Sequence, residues 1–162
     1  MDIDFFNRSD IENDMYTIEK ILSTNVFSPE NAQHPLMKSA FIELLICLRD
    51  LMYKVEKYST RINFNDDVVA NEKITDITDL IKFVRDALCH PDIPHHYLIK
   101  DKIKASFNIA YGKCNIMSIG DIVISSDYAD DICFSFGEEK IYLKRHIERA
   151  FNEAKQKLSP LI

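Results

Sequence analysis

Residues 36–59 read LMKSAFIELLICLRDLMYKVEKYS, and in this stretch Leu36, Ala40, Phe41, Leu44, Leu48, Leu51, Met52 and Val55 recur at the three- and four-residue spacing of one helical face. The run follows Pro35, a residue that suits the first turn of a helix. Leu45, Ile46 and Cys47 widen the apolar stripe beyond the arc that a surface helix buries. The segment is therefore expected to be central in a bundle, or to meet a second subunit as well.

Working outward, Ile11, Met15, Ile18, Ile21 and Leu22 mark the face of an earlier helix, with Asp10 as its expected N-cap. It should end near Thr24 to Phe27, because Ser28-Pro29 and His34-Pro35 disfavour helix at the residue before each proline. On the other side a polar connection, Thr60 to Asn71, leads to Ile74, Ile77, Ile81, Val84 and Leu88, spaced as in a helix packed on a neighbour. Thr75 or Asp76 would cap this third helix, and Pro91 should stop it at Cys89 or His90.

The pattern then changes. After the basic stretch LIKDKIK come FNIAYG, DIVIS and ICFSFG, short β-branched and aromatic runs bounded by Gly112, Gly120 and Gly137. These predict a small antiparallel sheet or a pair of hairpins over about 105–140. A last helix is expected over about 141–158, with Tyr142, His146, Ala150 and Leu158 on one face and Leu143, Ile147 and Ala154 beside it. The expected fold is mainly α (α+β): a helical bundle over 10–91, a β element in the C-terminal part, and four to five helices in one domain spanning 1–162.

Composition agrees with a folded chain: 46% hydrophobic and 28% charged residues exclude a disordered polymer. No run of about 18 apolar residues exists, and the start MDIDFFNRSD is acidic where a signal peptide would be basic, so a cytoplasmic protein without membrane attachment is expected. Cys47, Cys89, Cys114 and Cys133 form no CxxC pair, which favours buried free thiols over a zinc or redox motif. The net charge of −6 argues against an extended nucleic-acid surface. It is unevenly spread, since residues 1–34 hold seven acids against two bases, whereas 98–162 hold nine against ten and leave room for a phosphate-facing surface there.

The chemistry-bearing residues stand at the end of the third helix, in KFVRDALCHPD, residues 82–92. Arg85 supplies a planar, permanently charged fork suited to two phosphate oxygens. His90 supplies an imidazole, the side chain that ordinarily exchanges protons near working pH. Asp86, one turn before His90, is placed to orient the imidazole. On an ideal helix Arg85 and His90 would project about 140° apart, so the helix end must relax for them to share one phosphate.

Arg85, polar Asp86 and His90 after four intervening residues resemble the Rx4-6H motif of the HEPN family, and the likeness covers the two-helix framework of roughly residues 36–91. That resemblance implies a HEPN-like bundle and a metal-independent endoribonuclease cutting single-stranded or loop RNA. It implies a homodimer whose motif helices share a cleft, and a toxin or phage-defence setting. The rival expectation is a non-catalytic interaction module that binds a nucleotidyltransferase-like or antitoxin partner, with Arg85 in a surface salt bridge and His90 favoured by the helix dipole.

Other candidates are weaker in the sequence. His90, His95 and His96 with Asp92 are dense in ligand atoms but match no metal spacing. Asp127, Asp130, Asp131, Glu138 and Glu139 lack a calcium-loop register and are expected to be solvated turn acids. Lys140, Lys144, Arg145 and Arg149 fit either a phosphate grip or an ordinary charged helix face. Phe107, Tyr111, Phe134, Phe136 and Tyr142 are expected in the core. None of the three glycines falls in a nucleotide-binding loop, so no cofactor is expected.

Overall fold

The computed structural model describes residues 3–90, 97–99, 103–104 and 107–162, the two short segments by backbone alone. Its helices are α1 (Phe5–Ser23), α2 (Met37–Tyr58), α3 (Ile77–Cys89) and α4 (Arg149–Leu158). Its strands are β1 (Tyr97–Ile99), β2 (Ile103–Lys104), β3 (Asn108–Tyr111), β4 (Cys114–Ile119), β5 (Ile122–Ser126), β6 (Ile132–Phe136) and β7 (Glu139–Tyr142). The fold is thus mixed α+β, with the helices first and the sheet in the C-terminal part.

α2 is the common neighbour of α1, α3 and α4. Leu45 and Cys47 are buried, whereas Ile46 stays 43% exposed, so centrality accounts for two of the three residues that widen the stripe. α1 begins earlier than expected. Asp4, not Asp10, is its N-cap and accepts the Asn7 backbone N–H at 3.0 Å. Phe5 and Phe6 in its first turn are both exposed, which is why no apolar period announces that turn. Asp10 lies inside the helix and faces Lys54 at 3.5 Å.

The three-stranded sheet is ordered β3-β6-β7, all antiparallel, with the β4-β5 hairpin inserted between β3 and β6. Alternation along β6 divides its work. Phe134 and Phe136 enter the helical core, while Cys133 joins Ala110 and Tyr142 in a cluster on the other face. Phe41 of α2 stacks on Phe134 at 4.0 Å between centroids, and Phe27 meets both rings edge-on. Phe107 and Tyr111 are only half-buried, Phe107 packing on the rim of this core. The hairpin turns use Gly120 and Gly137 at positive φ, +59° and +54°, in the first of two turn positions.

β7 extends through Tyr142, so the last helical region begins at Leu143 and not at Ile141. Its first turn, Leu143–Glu148, is π-helical. Asp131 sits under that turn. Its carboxylate accepts the backbone N–H groups of Ile132 (2.8 Å), Lys144 (2.9 Å) and Arg145 (3.1 Å), and Nη1 of Arg145 (3.1 Å). The side chain is 0% exposed, so Asp131 is not the solvated turn acid expected but the cap that lets the chain pass from strand to helix.

Between α1 and α2, Lys54 is buried and pairs with Asp50 at 2.5 Å, while the part-buried carboxyl of Asp14 lies close to that of Asp50. Burial first, then the Asp50 carboxylate, pushes Asp14 up to about 7. The folded chain therefore keeps a proton that the unfolded chain releases near the ordinary value of 3.8. The stability this proton contributes is complete below the unfolded value and is lost as pH rises through about 7.

Two outcomes follow from these buried acids. Asp131→Asn replaces an acceptor oxygen by a donor amide and should cost on the order of 3 kcal/mol in urea unfolding, because the N–H groups and Arg145 lose their shared anion. Asp14→Asn imitates the protonated carboxyl, so its urea midpoint should gain on wild type between about pH 5 and about pH 8; a gap that stays constant across that range would exclude Asp14 as the titrating group.

Candidate functional site

α3 is held at its start before anything is presented at its end. Asp76 is the N-cap, accepting the Asp79 N–H at 3.0 Å. Arg61, on the connection from α2, grips the same carboxylate on both oxygens, Nε to Oδ2 at 2.8 Å and Nη2 to Oδ1 at 3.0 Å. Nη2 also donates to Asp79 at 2.7 Å and Nη1 to Glu56 at 3.1 Å. Ile77, Leu80, Ile81, Val84, Ala87 and Leu88 then bury the inner face of α3 against α2 and the core.

At the far end Arg85 and Asp86 form an ion pair, Nη1 to Oδ1 at 2.9 Å, with side chains 24% and 35% exposed. His90 is exposed and is the C-cap, its N–H bonded to the Asp86 carbonyl at 3.1 Å. The Asp86 carboxylate thus binds Arg85, and the Asp86 carbonyl accepts the His90 backbone N–H. At φ −124° and ψ 85° His90 has left the helix, so its side chain no longer follows the 100° step that would set it about 140° from Arg85.

A cleft of about 340 Å³ opens beside Asp86, lined by Lys73, Asp79, Lys82 and Phe83 as well. Lys82 and Phe83 went unremarked as site residues in the sequence, although their positions four and three residues before Asp86 put them on its helical face.

The other candidates sort differently. Lys140 pairs with Asp127 at 2.6 Å, Arg145 with Asp130 and Asp131 at 3.0 and 3.1 Å, and Arg149 with Asp66 and Glu153 at 2.8 and 3.1 Å. Lys144 donates to the Asp130 carbonyl. This basic run ties the C-terminal part together and is no ready phosphate grip. Phe134, Phe136 and Tyr142 are buried. Cys47 and Cys133 are buried, but Cys89 and Cys114 are exposed, because the end of α3 and the edge of the hairpin leave them in solvent.

His146 is fully buried, accepts the Tyr142 N–H on Nδ1 at 3.1 Å, and is held below its ordinary value by desolvation, which removes it from proton transfer to a ligand. His95, His96 and Asp92 lie outside the described residues. Among the described residues no group of three or more His, Cys, Asp and Glu side chains is arranged to hold a metal ion, and no helix is long and apolar enough to cross a membrane.

Because the Arg85–Asp86 pair is partly exposed, its deletion should leave the fold intact. Arg85→Ala and His90→Ala are each expected to lie within about 1 kcal/mol of wild type in urea unfolding; a loss several times larger in either variant would assign that residue to the framework. Comparison with protein-family models, with curated proteins and with solved structures gives no match to this chain.

Proposed function

We propose that this chain is a metal-independent endoribonuclease of the HEPN type, cutting single-stranded or loop RNA, with Arg85 and His90 acting on the phosphodiester. The observation that carries the proposal is the placement of Arg85, Asp86 and His90 together at the exposed end of a helix whose other end is clamped. Arg85 holds the non-bridging oxygens and offsets the charge that grows on phosphorus. Asp86 orients the guanidinium. His90 takes the proton of the 2′-hydroxyl as its oxygen bonds to phosphorus and the bond to the 5′-oxygen breaks. The products are a 2′,3′-cyclic phosphate and a free 5′-hydroxyl, and His90 of the partner subunit or water returns the proton to the leaving oxygen.

A homodimer fits what α2 leaves uncovered. Ile46 is 43% exposed on α2, and an isologous contact centred there would bring two copies of α3 toward one cleft. Toxin or defence activity is the setting this chemistry suits. The net charge of −6 favours a second possibility, a non-catalytic HEPN-type module that binds a nucleotidyltransferase-like or antitoxin protein.

Wild type, Arg85→Ala and His90→Ala are compared on a mixed pool of structured RNAs with excess chelator. Cleavage by wild type, with each substitution lowering the rate by about 100-fold or more, is the expected result. No cleavage by wild type would favour the binding module, and cleavage surviving both substitutions would place the active groups elsewhere.

A further inference from the structure

We infer that the groove between α2 and α3 is the track on which single-stranded RNA lies, with Arg49 and Lys82 as phosphate contacts and Tyr53 as a stacking platform, an inference that rests on the ribonuclease proposal for the identity of the ligand. The buried faces of α2 and α3 pack together and leave a cleft of about 190 Å³ above their seam, lined in part by Arg49, Tyr53, Glu56, Arg61, Asp79 and Lys82. The cleft beside Asp86 shares Asp79 and Lys82 with it, so the two run into one another at Lys82 and lead to the Arg85–Asp86 pair. Lys82 stands one helical turn, about 6 Å, before Asp86.

Charge pairing decides where this groove can meet a phosphate. Three carboxylates, Glu56, Asp76 and Asp79, share the guanidinium of Arg61 at one end, and Asp86 pairs with Arg85 at the other. Arg49 and Lys82 have no carboxylate partner among the described residues, whereas Lys140, Arg145 and Arg149 of the C-terminal part each have one. A chain of net charge −6 thus keeps two cations without an ion pair on the face that carries the candidate motif. The guanidinium of Arg49 lies over the half-exposed Tyr53 ring at 5.8 Å, a flat surface on which an unpaired base can stack. Past Phe83 the next hollow is lined by Asn71, Glu72, Lys73 and Glu139, where two carboxylates outnumber one ammonium and disfavour a phosphate. The polyanion is therefore directed along Arg49 and Lys82 and not toward the sheet.

Binding of a fluorescein-labelled oligouridylate of about 12 nucleotides tests the track by anisotropy. The full chain carrying His90→Ala is used with chelator, at several salt concentrations, and wild-type cleavage is assayed in parallel. Adding Arg49→Ala and Lys82→Ala should weaken binding at least about ten-fold and lower the logarithmic salt slope by about 1.4, two single-strand phosphate contacts. Adding Lys38→Ala and Lys113→Ala, at exposed positions elsewhere, should change neither. Weakened binding without wild-type cleavage would uphold the track and defeat the ribonuclease proposal. Cleavage by wild type with binding undiminished in the Arg49/Lys82 variant would overturn the track and leave the enzyme. Absence of oligonucleotide binding by the parent would overturn the track outright. Circular dichroism confirms that each variant is folded.

Discussion

The two hydrogen bonds from Arg61 to the carboxylate of Asp76 set the position of everything at the candidate site. Asp76 already caps α3, so an arginine bound to both of its oxygens fixes where that helix starts and in what direction it leaves the loop. A helix is stiff, and its far end is determined by its near end and its buried face. Arg85 and His90 stand where they do because Arg61 lies 15 residues before Asp76 on a strand of loop that α2 anchors through Glu56. Ile62 and Ile74, both buried, carry that loop across the core and keep it from acting as a free linker.

The β-rich part depends on a second constraint of the same kind. Phe41 stacked on Phe134 joins the central helix to the central strand. The neighbouring acids and bases pair locally, and Asp131 beneath the π turn gathers three backbone N–H groups and Arg145. A carboxylate with no exposure is tolerable because four donors surround it. The consequence for function is indirect: Lys140, Arg145 and Arg149 are consumed in holding the fold, whereas Arg49 and Lys82 on the α2–α3 face have no ion pair among the described residues. A basic run in sequence is not by itself a basic surface in space.

α2 and α3 were legible because each buries a stripe of apolar residues at helical spacing, and burial of that stripe is what makes an isolated segment helical. Asp76 as a cap and His90 as the stop follow from local chemistry, the first from its short acceptor side chain and the second from Pro91. The same holds for the antiparallel strands between glycines. Where the period carried no information the boundaries slipped. The first turn of α1 exposes two phenylalanines, and Ile141 and Tyr142 suit a strand as well as a helix until pairing with β6 decides it.

The amino-acid sequence by itself determined three amphipathic helices, a C-terminal β region and the juxtaposition of Arg85, Asp86 and His90 within six residues, since each depends on neighbours along the chain. Only the tertiary structure decided which charges are spent. Whether Asp131 is solvated or buried, and whether Arg145 and Arg149 are free or paired, depend on what the chain brings within 3 to 4 Å from 14 to 83 residues away. Electrostatic energies fall with separation and rise with burial, so a list of charged residues leaves their partners open until the fold has placed them.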